Sequence, residues 1–204
     1  MTIYMSFITG LIFIFFEGYP ASFSKGRGWS PERASLAFLP LIGGAILGVT
    51  ANILYTLRID KKRLAANKNG KMTPEQRLPP MIAASLILPA GLFWFAFTSP
   101  LATPWQAQVV SGIPVGAAII VILTQGMKYT VDVYNSCANS ALSLNTFARS
   151  SVAAGFPLFA TVMYQNLGVT ITSTVLGCVA LGLTPIPLVF YTLGSRVRAL
   201  SCRP

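Results

Sequence analysis

The chain has 204 residues, 53% of them hydrophobic and only 10% charged, with a formal net charge of +10. A soluble domain carries about a quarter charged residues. So low a charge content, with a mean hydropathy of +0.64, excludes most soluble folds and makes the bilayer the expected solvent. No His is present, and Cys137, Cys178 and Cys202 lack metal-like spacing, which argues against a zinc centre or a disulfide framework. No cofactor and no metal are expected. The basic excess does not point to nucleic acid, because Lys and Arg lie mainly between apolar runs rather than on one face of a soluble fold.

A helix needs roughly 20 apolar residues to cross a ~30 Å hydrocarbon core, so the length suits about six crossings. The first span runs over about 1–23, uncharged except for Glu17, and is ended by Lys25 and Arg27. No secretory cleavage pattern precedes it. The second occupies about 34–57 and is closed by Arg58, Asp60, Lys61, Lys62 and Arg63. The uncharged stretch from Leu78 to Met127 is too long for one crossing, and Ser99, Pro100, Thr103 and Pro104 divide it into spans of about 79–98 and 105–127. After Lys128, Asp132 and Asn135, a fifth span covers about 138–164, interrupted only by Arg149; a polar break at Gln165, Asn166 and Gly168 precedes a sixth at about 171–193. The expected fold is an all-α membrane protein, a single six-helix bundle over 1–204.

Eleven of the Lys and Arg residues fall on the side that holds both termini, seven of them in the 58–77 loop, whereas the other side has Lys25, Arg27 and Arg33. Basic loops stay cytoplasmic, so both termini are expected there, with 58–77 as a basic cytoplasmic loop. Gly44 and Gly48, like Gly112 and Gly116, are four apart and permit close helix approach, read here as internal packing. Pro89, Pro114, Pro157, Pro185 and Pro187 lie within spans, where each removes a backbone donor and can bend the helix.

The polar residues within spans are the candidate substrate-binding positions: Glu17, Gln125, Asn145 and Arg149. Arg149 lies 11 positions into the span that opens at Ala138, about 16 Å along a helix and close to mid-membrane. A buried Arg faces a bundle interior or an aqueous cavity; it is either an anchor for an anionic group or a structural clamp. Asn145 is four residues earlier, on the same helix face. Glu17 reads as a cation-binding or protonatable carboxylate, or as an interfacial residue at the helix end. Gln125 belongs with Tyr129 and Asp132 to a polar stripe that also fits a solvated helix end. Trp29 and Trp105 suit an interfacial belt.

Taken together, several blocks resemble a known family. Tyr4-Met5-Ser6-Phe7, Phe15-Phe16-Glu17-Gly18-Tyr19-Pro20 and Gly26-Arg27-Gly28-Trp29 resemble the seventh helix and following loop of fungal major facilitator superfamily drug:proton antiporters. Pro74-Glu75-Gln76-Arg77-Leu78-Pro79-Pro80 and Gly91-Leu92-Phe93-Trp94-Phe95-Ala96 are similar to its ninth helix. Ser140-Ala141-Leu142, Asn145-Thr146, Arg149-Ser150 and Ala154-Gly155-Phe156-Pro157-Leu158-Phe159 resemble its eleventh, and Pro185-Ile186-Pro187 with Phe190-Tyr191 its twelfth.

The resemblance implies the C-terminal repeat of a two-part, alternating-access transporter. It further implies multidrug or polyamine-type efflux, proton-coupled in the full-length protein and sited in the plasma membrane. The implied partners are the lipid bilayer, protons, a small amphipathic or cationic substrate, and either the missing N-terminal six-helix half or a second copy; no nucleic acid is expected. A non-transporting membrane scaffold or truncated remnant, free to dimerise, is the alternative. An enzyme is disfavoured because no nucleophile and base arrangement is visible.

Overall fold

The computed structural model describes residues 1–60, 78–134 and 138–192. Among these the chain is helix and short connection with no strand, as a bilayer requires of an open chain whose backbone groups must be satisfied locally. Most of the 58–77 loop, part of the 128–137 loop and the C-terminal tail, on which the charge count largely rests, lie outside the described residues.

Helix α1 spans Thr2–Pro20 and widens into a π-helical turn, Ala21–Gly26. Pro20 has no N–H to give and its ring crowds the preceding turn, so the chain beyond it bonds in wider steps: the Arg27 N–H reaches the Ser22 carbonyl at 3.1 Å and the Trp29 N–H the Phe23 carbonyl at 3.0 Å. Gly28, at φ +68°, ends the element in a left-handed conformation that a side chain would strain. Extended Ser30, Pro31 and Glu32 then start α2, Pro31–Leu36, with a proline where no donor is lost and an acid near the helix N-terminus. A short turn joins it to α3, Leu39–Tyr55. Helix α4 spans Pro79–Phe97, and a tight connection leads to α5, Trp105–Val110, and α6, Gly112–Val133. The missing N–H of Pro114 accounts for the interruption between α5 and α6, since it would otherwise bond to Val110.

The last element, α7, is Ala138–Leu183. Its apolar span continues to Thr192 and covers 55 residues, about 80 Å if straight at 1.5 Å per residue, far more than one crossing needs. Gly168, at φ 76° and ψ 172°, breaks it into two arms, 138–167 and 169–183. The arms fold back on each other at this point, where the Thr172 hydroxyl donates to the Met163 carbonyl at 3.2 Å. Among the described residues five helical stretches have membrane length and composition, and the last of them is the one that Gly168 divides.

The helices run past the edges set by charge. The first extends to Gly26, the second begins at Pro31, and the fourth continues to Val133, taking in Lys25, Arg33, Lys128 and Asp132. Long charged side chains at helix ends can reach the interface while the backbone stays helical, so charge marks the membrane edge and not the helix end.

Packing follows small residues. A Cβ at Gly44 would collide with the Ile113 carbonyl, one at Gly116 with the Leu41 carbonyl, and one at Gly48 would lie 2.7 Å from the Ala117 carbonyl. Gly44, Gly48 and Gly116 thus serve contact between α3 and α6, while Gly112 lies closest to the Tyr19 hydroxyl of α1. On the other side of the bundle, Gly10 lies under the Phe156 ring and Gly18 under Tyr164, setting α1 against the first arm of α7, while Gly177 of the second arm receives Phe93 of α4.

At the end of the bundle near the α1–α2 and α4–α5 connections, aromatic rings close the core. Phe15 and Phe95 meet edge-on at 5.0 Å, Tyr19 lies 4.6 Å from Phe38, and Trp29 meets Trp105 at 5.3 Å. The Arg27 guanidinium donates to the Pro100 and Thr103 carbonyls at 3.3 and 3.1 Å, fastening the two connections together.

Replacing Gly44 by Ala is expected to destabilise the bundle by about 1–3 kcal/mol through overpacking. Gly43→Ala, whose added methyl meets open space, should change stability by less than about 0.5 kcal/mol. Thermal unfolding in detergent compares the two, and equal melting would rule out the close-approach account of α3 and α6.

Candidate functional site

Three elements enclose a groove of about 700 Å³, within the size range of small-molecule sites. Helix α1 contributes Thr9, Ile12, Phe13 and Phe16; α6 contributes Ile119, Leu123 and Met127; the first arm of α7 contributes Arg149, Ser150, Ala153, Ala154 and Pro157. The spacings of three and four place each set on one helix face. Except for Thr9, Arg149 and Ser150 the lining is apolar, and the Thr9 hydroxyl is already bonded to the Met5 carbonyl at 2.8 Å. Arg149 is half-buried and is the one charged residue of the lining. Among the described residues no acid forms an ion pair with it.

The other candidate residues are placed elsewhere. Glu17 is exposed, one turn beyond Phe13 on α1, and does not line the groove. Asn145 is buried between α7 and α1, where its amide Nδ2 donates to the Met5 sulfur at 3.7 Å and its Oδ1 has no partner among the described residues. It stands one turn before Arg149 and holds α1 at the level of the groove without lining it.

Gln125 faces a different neighbour. It lies about 200° round α6 from Leu123, at 100° per residue. Its Nε2 donates to Asn52 Oδ1 at 2.6 Å, Asn52 Nδ2 donates to Thr124 Oγ1 at 2.8 Å, and the Thr124 hydroxyl donates to the Ile120 carbonyl at 2.7 Å. These bonds tie α6 to α3 inside the bundle. Asn52 was not singled out from the sequence, although it continues the stripe of Gly44 and Gly48 by one more turn, which was the available signal. A second buried pair, Gln108 Nε2 to Ser22 Oγ at 2.7 Å, was likewise missed, because Gln108 lies within an otherwise apolar run.

A further cavity of about 470 Å³ lies among α3, α4 and α6, walled by residues such as Gly48, Ala51, Ala83, Ala84, Ala117 and Ala118. Its one strongly polar lining residue is Asn52, whose amide is consumed by Gln125 and Thr124. Of these two cavities, only the one beside Arg149 has a charged side chain in its lining.

A bundle of long apolar helices with such a groove on one side is an integral membrane protein. The chain is homologous to fungal transporters of the major facilitator superfamily (MFS). It is 45% identical over 202 residues to the citrinin biosynthesis cluster MFS transporter of Monascus purpureus, 42% over 201 to an MFS-type transporter of Penicillium crustosum, and 43% over 202 to the cercosporin MFS transporter of Cercospora nicotianae. Each match covers 98% of this chain but only 38%, 41% and 38% of the relative. The chain thus spans about two fifths of the length of the curated relatives it matches. No protein-family model and no solved structure matches it.

If the Asn52–Gln125 pair is a structural tie, Gln125→Leu should destabilise the protein by about 0.6–2 kcal/mol. The double substitution Asn52→Leu with Gln125→Leu should recover part of that loss, because two apolar groups leave no buried amide unpaired. Unfolding midpoints of the single and double variants check this, and losses that simply add would exclude the pairing.

Proposed function

We propose that this chain forms the C-terminal six-helix half of a fungal MFS exporter that moves small amphipathic molecules across the plasma membrane. The groove of α1, α6 and α7 would serve as this half's share of the substrate cavity. The observation that carries the reading is the half-buried Arg149 in an otherwise apolar groove: a cation at that depth is costly unless it serves a cavity or a partner. The names of the relatives, citrinin and cercosporin among them, support a small organic cargo.

Alternating access would follow from rocking this half against an N-terminal six-helix half, with coupling to protons in the complete protein. Both termini of this half lie on the cytoplasmic side by the basic-loop count. Arg149 is the substrate anchor, Asn145 sets α1 beside it, and Gln125 acts through the α3–α6 tie. Glu17, outside the groove, is assigned the protonatable role and not substrate contact. Multidrug-type cargo fits this lining better than polyamine, since no carboxylate lines the groove to meet a polycation.

In the complete gene product, Arg149→Ala should cut efflux of an amphipathic dye that carries an acidic group by about tenfold or more, the value of one charge-assisted hydrogen bond. The protein should still reach the membrane. Efflux and surface expression measured together decide the matter: both intact would sink the assignment.

A further inference from the structure

Taking the transport reading as its basis, we infer that the cargo held in the groove is an amphipathic organic anion, its carboxylate or comparable acidic group seated on Arg149. A guanidinium stays charged at every accessible pH and presents a planar fork of donors that fits a carboxylate with two bonds. Arg149 has no acid beside it: among the described residues it forms no ion pair, and the lining of its groove contains no Asp or Glu. Glu17, the acid of α1, is exposed and outside that lining. A cation with no acid beside it among the described residues, set in a mostly apolar groove, favours a ligand that brings negative charge and repels one that adds a second positive charge.

The remaining lining suits the rest of such a molecule. Phe13 and Phe16 supply flat apolar surface on one wall, Leu123 and Met127 a deformable surface on another, and Ser150 stands next to the anchor with a hydroxyl. Polar recognition is thus concentrated at one end while the body meets carbon. This narrows the cargo class read from the sequence, which admitted a cationic substrate.

The test uses the complete gene product in liposomes and three pyrene probes that share one apolar body: pyrenebutyrate, pyrenebutanol and a pyrenebutyl-trimethylammonium salt. At neutral pH pyrenebutyrate should bind about tenfold to a hundredfold more tightly than pyrenebutanol, the range of a hydrogen bond to a charged group, and the ammonium probe more weakly than either. Arg149→Gln should remove the advantage of the anion while changing pyrenebutanol binding less than about twofold, and Arg149→Lys should restore part of it. Tighter binding of the ammonium probe than of pyrenebutyrate, or an anion preference that survives Arg149→Gln, overturns the proposal. The ranking in the unaltered protein decides even where a variant does not fold. Driven movement of pyrenebutanol without preference for the anion overturns the anion assignment and leaves the transport reading intact; no driven movement of any probe overturns both.

Discussion

The contact on which the bundle depends is the near-touching approach of α3 to α6. Lipid offers no hydrophobic gain for bringing two apolar helices together, so packing and a few internal hydrogen bonds must hold them. Gly44, Gly48 and Gly116 remove the side chains that would keep the backbones apart, with Gly44 against the Ile113 carbonyl and Gly116 against that of Leu41. Only at such a distance can Asn52 reach both Thr124 and Gln125. With α6 fixed in rotation by that tie, Ile119, Leu123 and Met127 are turned toward α1 and the first arm of α7, and the groove follows from it.

The two ends of the bundle are held by different chemistry. Near the connections after α1 and α4, Phe15, Tyr19, Phe23, Phe38, Phe95, Trp29 and Trp105 form a chain of ring contacts, and Arg27 binds two loop carbonyls. Toward the start of α1, cohesion comes from softer contacts: Met5 lies against Gly126 and accepts from the Asn145 amide, and Tyr129 meets Phe190 at 6.1 Å. Arg149 lies on the first arm of α7 between these ends.

The helical class and membrane character were legible because long uncharged runs leave a chain few alternatives. Helix ends were less legible: Lys25, Arg33, Lys128 and Asp132 stop a hydropathy run without stopping a helix. Among the candidate residues, Arg149 could be read as a groove residue because charge in a span is expensive wherever it faces. The neutral amides could not be placed in that way. Gln125 and Asn145 are compatible with a cavity or with a helix contact, and their partners, Asn52 and Met5, are 73 and 140 residues away in the chain. No local pattern encodes such a pairing.

Gly168 lets a single left-handed residue do the work of a loop. The two arms of α7 are joined through Gln165, Asn166 and Gly168, with Gln165 and Asn166 exposed, so very little chain projects into water there. The connections after α1 and α4 are longer and carry Lys25, Arg27 and Pro100. A protease working from that face of the membrane would find its substrates in those two segments and pass over the joint at Gly168, leaving α5, α6 and both arms of α7 on one piece that carries Arg149.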